Sequence, residues 1–138
     1  MVGKTQDLTA DNLMEKDVLL SNLVTIVNES PIEIGVTLNV GGSLITGLLI
    51  GSNIYMRSIS ELLSGNGPTA DQFAKLFEEI AEEVEKINPE DEDDNPSPNY
   101  IHLKNAKLIN INGDVIELGY WRGKLSSIDG FIIANLNQ

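Results

Sequence analysis

Two short stretches of the chain combine aromatic and basic side chains, a combination suited to binding chemistry at a protein surface. They are Tyr100, His102 and Lys104 in the first stretch, and Trp121, Arg122 and Lys124 in the second. Tryptophan, tyrosine and arginine are the usual anchors of protein interfaces. The sequence therefore predicts a protein-binding patch at His102, Lys104, Trp121, Arg122 and Lys124.

The same residues also fit a plainer interpretation, an amphipathic sheet face on which lysine and arginine stems cover apolar surface. The register of the strands bears on this choice. If Asn112-Gly113 forms a two-residue turn, Lys104 lies opposite Trp121 and its ammonium group can sit over the indole. A bulge near Gly119 would break that pairing.

Nucleophilic catalysis would have to use His102 as its base, because it is the single histidine of the chain. Ser126 or Ser127 would be the nucleophile, and Asp114 or Asp129 would orient the imidazole. Neither serine lies in a nucleophile elbow, and both aspartates stand in turn dipeptides that already explain them. We therefore predict that the protein is not an enzyme.

No cofactor or metal site is expected from these residue types. The chain has no cysteine and one histidine, which excludes thiolate and histidine-clustered metal sites. Asp91, Asp93 and Asn95 match the opening of a calcium loop. However, Pro96 stands where that loop needs glycine and His102 stands where it needs glutamate, so the match fails.

The charge of the chain is strongly negative and is concentrated in one segment. The 138 residues include nine basic and 21 acidic ones, for a net charge of -12. Residues 78–94 hold ten acidic residues and one lysine, whereas residues 99–138 hold four basic and three acidic ones. Such a molecule repels nucleic acid and anionic membranes, so neither is an expected partner.

The beginning of the chain and its uncharged stretch bear on localisation. The first twenty residues carry charges of both signs, which is unlike a secretory signal, so we expect a cytoplasmic protein. Residues 34–56 lack charge but contain five glycines and several polar residues with the period of strands. We therefore predict no transmembrane segment.

The first part of the chain predicts a helix followed by a β-hairpin. Apolar spacing indicates a helix over residues 9–29, and Pro31 stops it. Residues 32–40 then alternate strictly between apolar and polar, which is typical of a strand. Gly41-Gly42 predicts a two-residue turn that pairs Val40 with Ser43 and Ile34 with Leu49.

Residues from about 58 to 99 form a helical and acidic insertion. Residues 54–63 predict one helix, which ends at the breaker run 64–68. Thr69 and Gln72 predict a capping box at the start of a second helix, which ends at Asn88-Pro89. Its apolar stripe lies opposite its glutamates and consists of Phe73, Leu76, Phe77, Ile80, Val84 and Ile87.

From Tyr100 onward the pattern returns to strands, and Asn112-Gly113 and Asp129-Gly130 predict two further hairpins of an antiparallel meander. The predicted fold is therefore a single α+β domain over residues 1–138. It has an N-terminal helix, a bent five-stranded antiparallel sheet approaching a small barrel, and the inserted acidic helix.

Four sequence blocks resemble the gas vesicle accessory proteins of the GvpU type. They are LNVGGSLITG at 38–47, YIHLKN at 100–105, WRGK at 121–124 and IDGF at 128–131. The resemblance implies a small cytoplasmic protein that is associated with gas vesicles, serves their formation or clustering and has no known catalytic residues. Its expected partners are the vesicle shell, other gas vesicle proteins or further copies of itself. The blocks leave residues 58–99 uncovered.

A second resemblance is to Sm-like barrels, which have an N-terminal helix, five bent strands and a late Arg-Gly pair such as Arg122-Gly123. Residues 54–56 are similar to the Sm signature. Arg57 stands where the base-contacting asparagine of that family is expected, and the acidic charge also opposes RNA binding. An Sm-like nucleic-acid-binding or oligomerisation module is the alternative function.

Overall fold

The computed structural model of the protein describes residues 16–87 and 98–135. In this part of the chain three helices and five strands follow one another, with one 3-10 turn. They are α1 (Lys16–Glu29), β1 (Ile34–Val40), β2 (Ser43–Ile50), α2 (Ser52–Leu63), α3 (Pro68–Glu85), β3 (Tyr100–Ile109), β4 (Val115–Lys124), the 3-10 turn Leu125–Ser127 and β5 (Gly130–Ile132).

The five strands form one antiparallel sheet in the order β4-β3-β2-β1-β5, so the fold is α+β. Helix α1 covers one face of the sheet, which we call the core face. Leu20, Val24 and Val27 of the helix pack there against buried strand residues such as Leu38 and Leu103. The helix ends at Glu29 as predicted, and its predicted first residues, 9–15, lie outside the described part.

The first hairpin has the predicted register. Val40 pairs with Ser43 and Ile34 with Leu49 across the turn, whose two glycines have φ values of 59° and 90°. The apolar-polar alternation specifies this pairing because a shift by one residue would turn the buried side chains to the opposite face. Immediately after β2, Gly51 passes so close to α1 that a Cβ atom there would lie 2.6 Å from the Val27 carbonyl oxygen.

The β3–β4 hairpin differs from the prediction. Its loop spans five residues instead of two, and Ile109 pairs with Val115. Further along, the register shifts near Asn105 and Gly119, which both have positive φ values, 52° and 76°. The predicted pairing of Lys104 with Trp121 is therefore wrong, and Leu103 takes that place.

The Asp129-Gly130 dipeptide does not turn a hairpin, which corrects the prediction of a continuous meander. Asp129 accepts a hydrogen bond from the backbone N–H of Gly41 through Oδ2 (2.9 Å), and Gly130 pairs with Asn39. Strand β5 thereby joins β1 at the edge opposite β4. In the described chain β4 and β5 are not hydrogen-bonded to each other, so the sheet is open and the Sm-like barrel stays a prediction.

Residues between β2 and β3 form the helical insertion, which begins at Ser52, earlier than predicted. Helices α2 and α3 pack as an antiparallel pair, and the Ser60 hydroxyl donates to the Ala74 carbonyl oxygen (2.7 Å). The predicted Thr69 capping box is wrong, because α3 begins at Pro68 with Gly67 as its N-cap and no side-chain cap. The predicted end at Asn88-Pro89 lies outside the described residues; the helix ends at Glu85.

The second face of the sheet, here called the outer face, is covered in two places. Tyr55 of α2 packs on His102, and the chain after β5 crosses the threonines of the first hairpin. Thr37 donates to the Ala134 carbonyl oxygen (2.7 Å) and Thr46 donates to Asn135 Oδ1 (3.1 Å). Both contacts are non-local, and neither follows from periodicity.

None of the described helices is both long enough and apolar enough to span a bilayer.

Candidate functional site

The outer face of β3 and β4 carries a stack of aromatic and basic side chains. His102 lies directly across from Arg122, and Tyr100 lies across from Lys124. The Arg122 guanidinium sits over the Tyr100 ring at 3.8 Å, and its Nε donates to His102 Nε2 at 3.2 Å. A cation over an aromatic face is favourable, and the hydrogen bond fixes its orientation. Arg122 is thus held in one geometry while its side chain stays exposed.

His102 is the buried member of this stack, with 3% of its surface exposed. Burial, and secondarily the charge of Arg122, lowers the pKa of His102 to about 4. The imidazole is therefore neutral at pH 7. Since Nε2 accepts from Arg122, the proton resides on Nδ1, which has no hydrogen-bond partner among the described residues.

Tyr55 completes the stack from the helical side. Its ring centroid lies 4.6 Å from that of His102 and 6.3 Å from that of Tyr120, the latter pair being edge to face. Burial raises the pKa of Tyr55, and Arg122 opposes that shift. The phenol therefore stays neutral, and the stack holds one fixed positive charge among neutral rings.

A cavity of about 530 Å³ opens beside the stack, between the sheet and the helical insertion. Met56, Ile80, Val84, Ile87 and Pro98 give it an apolar lining. Its polar groups come from asparagines, two glutamates and the side chains of Tyr100, His102 and Arg122. Concave surfaces with an apolar lining and a few polar groups are the usual form of binding sites.

The structure brings together four of the five predicted site residues and separates the fifth. His102, Lys104, Arg122 and Lys124 share the outer face, and Lys104 Nζ pairs with Glu33 Oε2 at 2.5 Å. Trp121 points to the core face, where it packs partly buried against the core. Its indole also lies over Gly123, at a distance that leaves no room for a Cβ atom on that residue.

Sequence reasoning missed the contribution of α2 to this site. The predicted helix 54–63 includes Tyr55, but no sequence pattern indicates a partner for that residue. The contact with His102 depends on how the insertion folds back over β3, which no local pattern specifies. Arg57 of the same helix instead pairs with Glu85 of α3 through two hydrogen bonds of 2.7 and 2.6 Å.

The residues considered for catalysis do not form a triad in the described chain. His102 Nε2 is occupied by Arg122, and Asp129 caps the Gly41 turn. Ser126 and Ser127 are exposed in the turn after β4. The described residues contain no cluster of three metal-ligating side chains, and the calcium-like stretch 91–95 lies outside them.

Comparison with known protein families shows to which family the chain belongs. The family model described as gas vesicle protein GvpU-like matches residues 17–136. The chain belongs to the GvpU-like family. The match runs through α2, α3 and the acidic segment, which the four sequence blocks had left uncovered.

Membership in the GvpU-like family has two direct consequences. The chain is a gas vesicle-related protein, and it falls in a structural and accessory family that is not known for enzymatic activity. No curated protein and no solved structure matches the chain significantly.

Proposed function

We propose that this GvpU-like protein is a non-enzymatic, cytoplasmic accessory protein that binds the vesicle shell or another gas vesicle protein through the outer face of β3 and β4. Residues 1–138 act as one domain in this proposal. The contact is made by Arg122 and Lys124, with His102 and Lys104 beside them. Trp121 contributes from the core face, where it holds β4 in place.

The observation that carries this proposal is the fixed geometry of Arg122. Its guanidinium is held over Tyr100 and bonded to His102 before any partner arrives. An ordered arginine loses less conformational entropy on binding than a free one, so more of its contact energy contributes to affinity. Arginine on a neutral aromatic base is also a common interface anchor.

The acidic segment 78–94 has a separate role in the proposal. Its excess of nine negative charges repels similar particles at low ionic strength. At physiological salt the Debye length is about 8 Å, so this repulsion then acts only at close range. The segment thereby tunes association between vesicles that carry the protein.

Replacing Arg122 and Lys124 together with alanine should reduce co-flotation with purified gas vesicles by about tenfold or more, because it removes the anchoring cations. The matched control is Lys75→Ala with Lys86→Ala, which removes the same charge from α3 and its C-cap residue and should float like the parent. Equal flotation of both double variants would refute the outer-face contact. Trp121→Phe keeps the core packing and should retain binding.

Neutralising the acidic residues of 78–94 to their amides should abolish the salt dependence of vesicle clustering. Turbidity and microscopy of vesicles coated with the parent or the variant would be compared across ionic strengths. If the neutralised protein clusters vesicles like the parent at every salt concentration, the acidic segment has no such role.

A second candidate function is self-association, favoured by the β4 and β5 edges of the sheet, which no further strand of the described chain pairs. Unpaired strand edges are templates for pairing with another chain. The Sm-like nucleic-acid version of this alternative has no such support, because Arg57 is engaged by Glu85 and the net charge opposes RNA. Sedimentation of the pure protein separates a monomer from a closed oligomer.

A further inference from the structure

Helix α3 has a large apolar surface that nothing in the described chain covers. Phe73 and Leu76 are 53% and 48% exposed, although the helix forms a stable pair with α2. Toward the C-terminal end, Ile80, Val84 and Ile87 continue the same surface into the cavity beside the sheet. The exposed stripe therefore leads into the cavity, and we refer to the stripe and the cavity mouth together as the groove.

Helical geometry explains why this groove is open. The residues of α3 that face α2 are the small Ala74 and Ala81, both buried and seven positions apart. At about 100° per residue, Phe73 and Ile80 lie roughly a quarter turn away from that line. The two helices thus contact each other through the alanines of α3. The large apolar side chains lie beside this contact and are not covered by α2.

The pair itself is well fastened, so the open groove is not a sign of loose packing. The Ser60 hydroxyl donates to the Ala74 carbonyl oxygen, and the Arg57 guanidinium donates two hydrogen bonds to the Glu85 carboxylate. Both contacts fix α3 relative to α2. The groove consequently keeps its shape in the absence of an occupant, as a docking site requires.

Charge determines which occupant fits. Glu79 and Glu83 follow Leu76 and Ile80 by three residues, so helical spacing places them along the border of the stripe. Helix α3 carries six acidic residues and one lysine. A second copy would bring the same negative surface to this border, and an anionic bilayer would be repelled. A basic amphipathic partner is attracted to both parts of the surface, because its apolar side chains fit the stripe and its positive charges fit the glutamates.

We propose that the groove formed by Phe73, Leu76, Ile80, Val84 and Ile87 binds a basic amphipathic helix of a partner protein. The apolar side of that helix fills the stripe and the mouth of the cavity, and its lysines or arginines pair with Glu79 and Glu83. Helix-in-groove recognition of this kind uses anchors at three- and four-residue spacing, which α3 also displays. This surface meets the Arg122 wall of the cavity, but its anchors Phe73 and Leu76 lie outside the cavity lining and outside the Arg122 and Lys124 contact.

The test uses the full chain and three labelled peptides as long as α3, 18 residues. One has leucine and lysine at amphipathic helical spacing, one replaces lysine with glutamate, and one is the lysine peptide in scrambled order. Fluorescence anisotropy should show binding of the first peptide, weakening as salt rises from about 50 mM to about 300 mM. The other two peptides should bind at least about tenfold more weakly.

Phe73→Ser with Leu76→Ser should weaken binding of the lysine peptide by about tenfold or more. The matched control is Ile132→Ser with Ile133→Ser, two comparably exposed apolar residues at the far edge of the sheet, and it should bind like the parent. Circular dichroism confirms that both variants fold. A second variant, Glu79→Lys with Glu83→Lys, should favour the glutamate peptide over the lysine peptide.

Two results would overturn the inference. One is equal binding of the lysine and glutamate peptides by the parent, which would mean that the groove has no charge preference. The other is unchanged affinity in both the Phe73 and Leu76 variant and the charge-reversed variant. Loss of vesicle flotation in the Arg122 variant has no bearing on either result, so the two proposals fail independently.

Discussion

Acidification from pH 6.5 to pH 4 should remove about 3 kcal/mol of the free energy of unfolding through His102 alone, because burial lowers the pKa of this residue from 6.5 to about 4. Between these two values the unfolded chain binds a proton at His102 that the folded chain does not. Stability therefore rises with pH across this window. The contribution is complete above pH 6.5 and is lost as the pH falls toward 4.

The measurement is unusually direct because the chain contains one histidine. Its imidazole Cε1–H resonance in proton NMR should titrate near pH 4 in the folded protein. Urea unfolding across the pH window should show a slope approaching one proton, about 1.4 kcal/mol per pH unit. His102→Gln removes this slope while leaving the carboxylates to titrate as before, so the difference between the two curves isolates the residue.

A histidine resonance that titrates near 6.5 would contradict this account. It would mean that water reaches the ring in the folded state and that the stack of Tyr55, His102 and Arg122 opens readily. The positioning of Arg122 in the proposed contact would then lose its support as well.

The second large effect is expected from helix α1. Leu20→Ala should lower the free energy of unfolding by about 2–5 kcal/mol, because it leaves a cavity between the helix and the core face. Leu20 is 3% exposed, whereas its neighbour Leu19 is 56% exposed. Leu19→Ala is the matched control and should change stability by about 0.5 kcal/mol or less.

Both variants make the same chemical change at adjacent positions of one helix, so helix propensity cancels in the comparison. Denaturant unfolding followed by far-ultraviolet circular dichroism provides the two free energies. Similar losses in the two proteins would show that α1 does not cover the sheet as described, and that the core lies elsewhere.

Several features of the fold were predictable because they depend on neighbouring residues. The hairpin between β1 and β2 is one, since strict alternation and a Gly-Gly turn leave a single register. The helices of the insertion are another, because their apolar spacing and breakers are local signals. The Thr69 capping box was also a local signal, yet Pro68 competes for the first helical position and begins the helix earlier.

The sequence indicated which residues could form the candidate site but did not indicate how they are arranged. The alternation of β3 correctly placed His102 and Lys104 on one face. The position of Trp121 required the register of β4, which the five-residue loop shifts by one residue relative to the predicted two-residue turn. A shift of one residue reverses which residues of a strand face the core, so Trp121 packs inward while Arg122 lies on the outer face.

Residue types and short spacings were enough to establish the charge distribution, the helix and strand content, the first hairpin and the family resemblance. Three features became visible only in the folded chain: β5 joins the β1 edge, Tyr55 packs on His102, and α3 contacts α2 through its alanines while its large apolar residues stay exposed. Those outcomes depend on contacts between segments far apart in the chain. Their energies are set by three-dimensional packing, which no local pattern encodes.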